Sequence, residues 1–100
     1  MSTARPATRI GDIDLVHCNW PWRMTGSPNV LVNGRPWSCQ LDFNAPHAAP
    51  AAPKCYVHLR PITLGSITVR INGRGAGRIA DDIIGCTWTM TGSHNVMAGG

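Results

Sequence analysis

The sequence predicts a small all-β domain with quasi-threefold symmetry inside one chain, built from short hairpins. Three observations carry this. The stretch "GSPNVLVNGRPW" at 26–37 returns as "GSITVRINGRGA" at 65–76, and a third start, "GSHNVMAGG", runs from Gly92 to the end of the chain. The segments "RPATRIGD", "RPWSCQLD" and "RGAGRIAD" end in register at Asp12, Asp42 and Asp81. No stretch sustains a helical period, and Pro and Gly interrupt the chain every few residues.

The hairpins come first. Asn33-Gly34 and Asn72-Gly73 each sit between alternating β-branched residues, Val30/Val32 and Val69/Ile71. A two-residue turn of the I′ type needs positive φ at both central positions, which Asn-Gly supplies most readily. The chain begins inside one repeat and ends inside another, as in a permuted ring. Each recurring Asp reads as a turn residue whose short carboxylate accepts local backbone N–H groups. Recurrence at a turn argues for structure, not catalysis.

The excursions follow. His17, His47 and Cys86 stand at one common spacing after Asp12, Asp42 and Asp81, and "WRMT", "PITL" and "WTMT" return toward each Gly-Ser. Three excursions about one axis bring these metal-capable side chains to a shared apex. The Ala/Pro-rich stretch from Pro46 to Lys54 reads as a long apical loop, because repeat elements continue unchanged on both sides. Residues 1–100 therefore form a single domain, since either half alone would have too little core.

Composition narrows the function. The net charge is +4, with nine basic residues against five acidic ones, all Asp. The Arg residues are spread along the chain, so no nucleic-acid partner is expected. The N-terminus "MSTARPATRIGD" has no apolar core, so no secretory signal peptide is expected. Without export through such a leader, the four Cys favour a metal over disulfides. Cys18 and Cys39 read as packing residues, Cys39 as a buried small hydrophobe.

These residues resemble the PAAR-repeat proteins. The name motif of that family appears here in degenerate form as "PATR" (Pro6 to Arg9), "PWSC" (Pro36 to Cys39) and "GAGR" (Gly75 to Arg78), and the flanking "GSPNVLVNGRP" and "GD" elements match more closely. The resemblance spans nearly the whole chain. It implies a cone-shaped domain with a metal-bound apex, whose base sits on a trimeric β-helical spike of a type VI secretion system or a contractile phage tail. It also implies one zinc ion held by three His and one Cys. Imidazole and thiolate donors suit iron as well, which is the alternative ion.

A structural zinc site takes four N or S ligands. His17, His47 and Cys86 occupy equivalent repeat positions, and the fourth ligand comes from "CYVH", which offers Cys55 and His58. The expected set is His17, His47, His58 and Cys86, matching the family's habit. The competing set replaces His47 with Cys55. Trp22 and Trp88 read as water-excluding shields beneath the metal or as ordinary core, two readings that converge on burial, and Trp20 is expected at the apex.

A threefold spike end is covered without mismatch by a chain that offers three similar faces. One chain per trimer is expected, with Asn33, Gly34, Trp37, Asn72, Gly73 and His94 at the spike-facing base; Trp37 reads alternatively as ordinary packing. The expected function is structural: the chain caps and sharpens the spike so that force concentrates on a small apex, which meets the target envelope transiently. It would act from the bacterial cytoplasm through type VI secretion, or at a phage tail tip. An adaptor that docks a separate effector is the alternative. A small zinc hydrolase is disfavoured, because it needs an open coordination position and a general base, and the chain contains no Glu. No enzymatic activity is expected.

Overall fold

Every repeated segment meets its counterparts in a closed cycle. The computed structural model describes residues 4–16, 21–46, 59–83 and 86–100. Among these there is no helix, so none long and apolar enough to cross a membrane. Eight two-residue strands are formed: β1 Arg5–Pro6, β2 Leu31–Val32, β3 Arg35–Pro36, β4 Arg70–Ile71, β5 Arg74–Gly75, β6 Asp82–Ile83, β7 Thr87–Trp88 and β8 Met97–Ala98. They pair antiparallel as β1–β8, β2–β3, β4–β5 and β6–β7.

The two Asn-Gly turns adopt the expected conformation. Asn33 and Asn72 have φ of 53°, and Gly34 and Gly73 have φ of 79°. The third hairpin is open at that point: Met97 and Ala98 face Pro6 and Arg5 across the strand pair. Gly99 therefore occupies the place of Asn33 and Asn72, and the two ends of the chain share one hairpin, as the permuted repeat predicts.

Above the hairpins, residues 7–9, 37–39 and 76–78 close a triangle. Ala7 pairs with Arg78, Arg9 with Trp37, and Cys39 with Ala76. Each edge strand thus has a neighbour at both ends, so no edge of the ring is left unpaired. The base core lies inside these turns: Ala7, Val32, Trp37, Cys39, Ile71, Ala76 and Ala98 are buried together, with Val30, Val69 and Val96 against them. Trp37 is the one bulky member at its tier, filling space that its counterparts Ala7 and Ala76 leave.

The glycine at position 77 is dictated by this closeness. A Cβ there would stand 2.0 Å from the Ser38 carbonyl oxygen, well inside contact distance, so no side chain fits.

The triangle is locked by the three Asp residues. The Asp12 carboxylate accepts from the Arg9 N–H at 2.7 Å and from the Arg9 Nε and Nη2 groups. Asp81 repeats this with the N–H, Nε and Nη2 groups of Arg78. Asp42 accepts the N–H of Cys39 at 2.8 Å, but Cys39 has no guanidinium to add. A guanidinium from the next repeat also reaches each Asp, Arg35 to Asp12, Arg74 to Asp42 and Arg5 to Asp81, so Asp12 and Asp81 have two such partners and Asp42 one. The residue before each Asp carries positive φ, at Gly11, Leu41 and Ala80.

These pairings predict unequal costs. Asp81→Asn is expected to destabilise the protein by ~3 kcal/mol, because Arg78 loses its buried counter-charge. Asp42→Asn is expected to cost less, about 1.5 kcal/mol, because its own corner carries no guanidinium and its ion-pair partner Arg74 is partly exposed. Urea unfolding of the two variants measures the difference, and equal costs would contradict the clamp role assigned to Arg78.

Candidate functional site

Three arms rise from the Asp turns, and their inner residues also pair in a cycle. Within arms, Ile13 pairs with Trp22, Phe43 with Pro61, and Asp82 with Trp88. Between arms, Asp14 pairs with Thr89, Asn44 with Arg23, and Ile83 with Ile62. Asp14, Asn44 and Ile83 are equivalent positions on the ascending segments, and Arg23, Ile62 and Thr89 on the descending ones. All six are buried. Four of the six are polar.

At the centre of this tier stands a completely buried ion pair. Arg23 Nη1 donates to Asp14 Oδ2 at 2.9 Å, and both side chains are 0% exposed. Arg23 also donates from Nε to Ser38 Oγ at 3.0 Å and from Nη2 to the Asp42 carbonyl at 2.6 Å. One guanidinium therefore ties the first arm to the second repeat at two tiers. Burial pushes the Asp14 carboxyl up to about 6, against the pull of Arg23. For Asp12 the balance is opposite: burial raises its pKa, but the Arg9 and Thr91 hydrogen bonds outweigh it and hold it below the ordinary value.

The Cys86 N–H donates to the Ile83 carbonyl at 2.9 Å. Its sulfur receives the Asn44 Nδ2 group at 3.9 Å. Burial raises the Cys86 thiol above its ordinary pKa, so a ligand role as thiolate requires a cation to displace the proton. His17, His47, His58 and Cys55 lie outside the described residues, as do Cys18 and Trp20. Among the described residues no three His, Cys, Asp or Glu side chains form a metal-sized group. Cys86 is thus the one expected ligand that the structure describes.

The aromatic side chains depart from expectation. Trp22 and Trp88 were expected to be buried, as a dry shield beneath the metal or as core, but they are 44% and 50% exposed. Their backbones pair with residues 13 and 82, whose side chains face outward, because the inward positions are those of Asp14, Asn44 and Ile83. Alternation along each arm turns the indoles to the flank. Trp37, expected at the spike-facing base, is 7% exposed and its indole N–H donates to the Gly77 carbonyl at 2.8 Å. It belongs to the base core, the packing alternative. Cys39 is buried as expected.

The remaining base residues lie at the hairpin end. Asn33 Oδ1 accepts from Arg9 Nη1 at 2.9 Å and from Ser93 Oγ at 2.6 Å, and Nδ2 donates to Asn95 Oδ1. Asn72 Nδ2 donates to Ser27 Oγ and Asn29 Oδ1. In the third place Ser66 Oγ donates to the Gly99 carbonyl. These amides clamp each hairpin tip to a neighbouring Gly-Ser turn. Gly34 and Gly73 have open space where a side chain would be. His94 is exposed beside the Asn33 clamp, and Leu31, Ile67 and Met97 add exposed apolar surface on the same hairpins and turns.

Arg23 and Asp14 carried no signal in the repeat, since their counterparts are uncharged. No protein-family model matches the chain, and no curated protein matches it.

The raised Asp14 pKa makes a signed prediction. Between 3.8, its ordinary value, and about 6 in the folded protein, the native state binds a proton that the unfolded state has released. Asp14 therefore makes metal-free protein less stable as pH rises across that window. Asp14→Asn is expected to remove that component of the slope, measured by urea unfolding in chelator from pH 4 to pH 6. An unchanged slope would contradict the assignment.

Proposed function

We propose that this chain is a PAAR-type tip protein that caps a trimeric β-helical spike of a contractile injection machine, one chain per trimer, and narrows it to a point. One observation carries the reading: the clasps of the hairpin tips, the triangle, the Arg–Asp pairs and the inner tier of the arms all close as threefold cycles within one polypeptide. A surface with that symmetry at its hairpin end is what the end of a homotrimer can receive on all three sides alike. The exposed Leu31, Ile67 and Met97 supply apolar contact there, and the open Gly34 and Gly73 let a partner's backbone approach.

The role is mechanical and involves no chemistry on a substrate. At the arm end, Cys86 would supply a thiolate for zinc, with His17, His47 and His58 completing the set, or Cys55 in place of His47. The donor chemistry fits: a sulfur facing an amide donor suits a thiophilic ion. Bound zinc would join the tips of the three arms, and its binding free energy would add to folding. Purified protein is expected to contain one zinc per chain by elemental analysis. Cys86→Ser is expected to lower the melting temperature sharply, and a metal-free protein with unchanged melting removes the metal from the reading.

Complex formation with a trimeric β-helical spike is expected at one chain per trimer by light scattering. Three chains per trimer would refute the capping geometry. A second reading, an adaptor for a separate effector, draws support from the indoles of Trp22 and Trp88 on the outer flank.

A further inference from the structure

Asn44 occupies in the second arm the position that Asp14 and Ile83 hold in the other two. Its side chain is completely buried, where an amide is costly unless both ends are bonded. The Arg60 N–H donates to Asn44 Oδ1 at 2.9 Å. That contact decides which end of the amide is oxygen and turns Nδ2 toward the Cys86 sulfur, 3.9 Å away. Asp14 shares the tier: its Oδ2 is held by Arg23, and the Asn44 amide, close enough to its carboxylate to offset part of the rise in pKa that burial causes, lies between that carboxylate and the sulfur.

The tier beneath Cys86 therefore presents one carboxylate already matched by one guanidinium. A thiolate at Cys86 would be a further anion in the same protected place. Among the described residues, Asn44 presents a neutral donor to that sulfur.

We propose that Asn44 is a positioning residue for a thiophilic divalent cation held by Cys86. Its Nδ2 group donates to the metal-bound sulfur, fixes the direction of the sulfur lone pairs and draws off part of their charge. The role rests on the metal reading given above and adds a residue that the repeat pattern does not single out. Hydrogen bonds of this kind to a ligand atom tune both affinity and the electronic character of the bond. The seat itself accepts an aliphatic side chain, since Ile83 fills its equivalent.

The test uses the full chain and its Asn44→Ile variant. Zinc affinity is read by chelator competition, and the sulfur bond by the thiolate-to-cobalt absorption band after Co(II) substitution. Asn44→Ile is expected to bind zinc 10–100-fold more weakly, by order of magnitude, and to shift the cobalt band to longer wavelength, with circular dichroism unchanged. Affinity within about twofold and an unmoved band would overturn the role of Asn44 while leaving the metal in place. If Asn44→Ile does not fold, Asn44→Ser, too short to reach the sulfur, is read by the same band against the same criterion. Wild-type protein that binds neither zinc nor cobalt would overturn the metal reading and this role with it.

Discussion

The architecture depends on the closure of three short edges into a ring. Two-residue strands bury little apolar area, and an isolated hairpin of that size is marginal in water. Here each edge, at 7–9, 37–39 and 76–78, pairs with both others, so none can leave without breaking two partners. Loop-closure entropy is the opposing term, and long-range contacts of this kind must overcome it. The Asp residues help by holding each corner in the turn that redirects the chain. Arg9 and Arg78 anchor two corners through bidentate contacts, which are geometrically stricter than single hydrogen bonds.

The departures from symmetry are as informative as the symmetry. Cys39 stands where the other corners have Arg, and its neighbour Trp37 is the largest residue of the base core. Ile62 lies against Gly77, with its Cδ1 2.9 Å from where a Cβ would be, while Arg23 lies over Ser38 and bonds its hydroxyl. Big residues thus face small ones, and a donor faces an acceptor, at equivalent places around one axis. Near-identical backbones can be filled by unlike side chains when volumes and hydrogen bonds are complementary locally. A strict repeat of the first arm would have buried three such ion pairs about one axis, each at a desolvation cost.

The backbone plan was legible because it is written in residues whose conformational needs are narrow. Asn33-Gly34 and Asn72-Gly73 could be read as turns, and the recurring Asp residues as acceptors of local N–H groups. The positive φ at Leu41 and Ala80 was not legible, since neither residue favours that region and only Gly11 among the three advertises it. The burial of Trp37 follows the packing reading, whereas the exposure of Trp22 and Trp88 was not legible. Facing on such short strands is set by pairing between arms, and a single repeat does not contain that pairing. The Arg23–Asp14 pair was missed because alignment of the copies rewards what recurs, and this pair occurs once.

The arm tier has a physical weakness that bears on function. Of its six inner residues only Ile62 and Ile83 are apolar, and the polar groups of the rest go to one another, to backbone, to the Ser38 hydroxyl and to the Cys86 sulfur. A buried ion pair brings specificity more readily than net stability, because desolvation offsets much of the attraction. The base, by contrast, has a continuous apolar cluster. A tip built on a polar tier gains little from the hydrophobic effect and needs another source of cohesion. A cation bound between arms would be such a source, because it exchanges proton release for ligand coordination that cross-links them. The polar column from Ser38 through Arg23 and Asp14 thus sets the order of the arms through hydrogen bonds and one ion pair rather than through apolar packing.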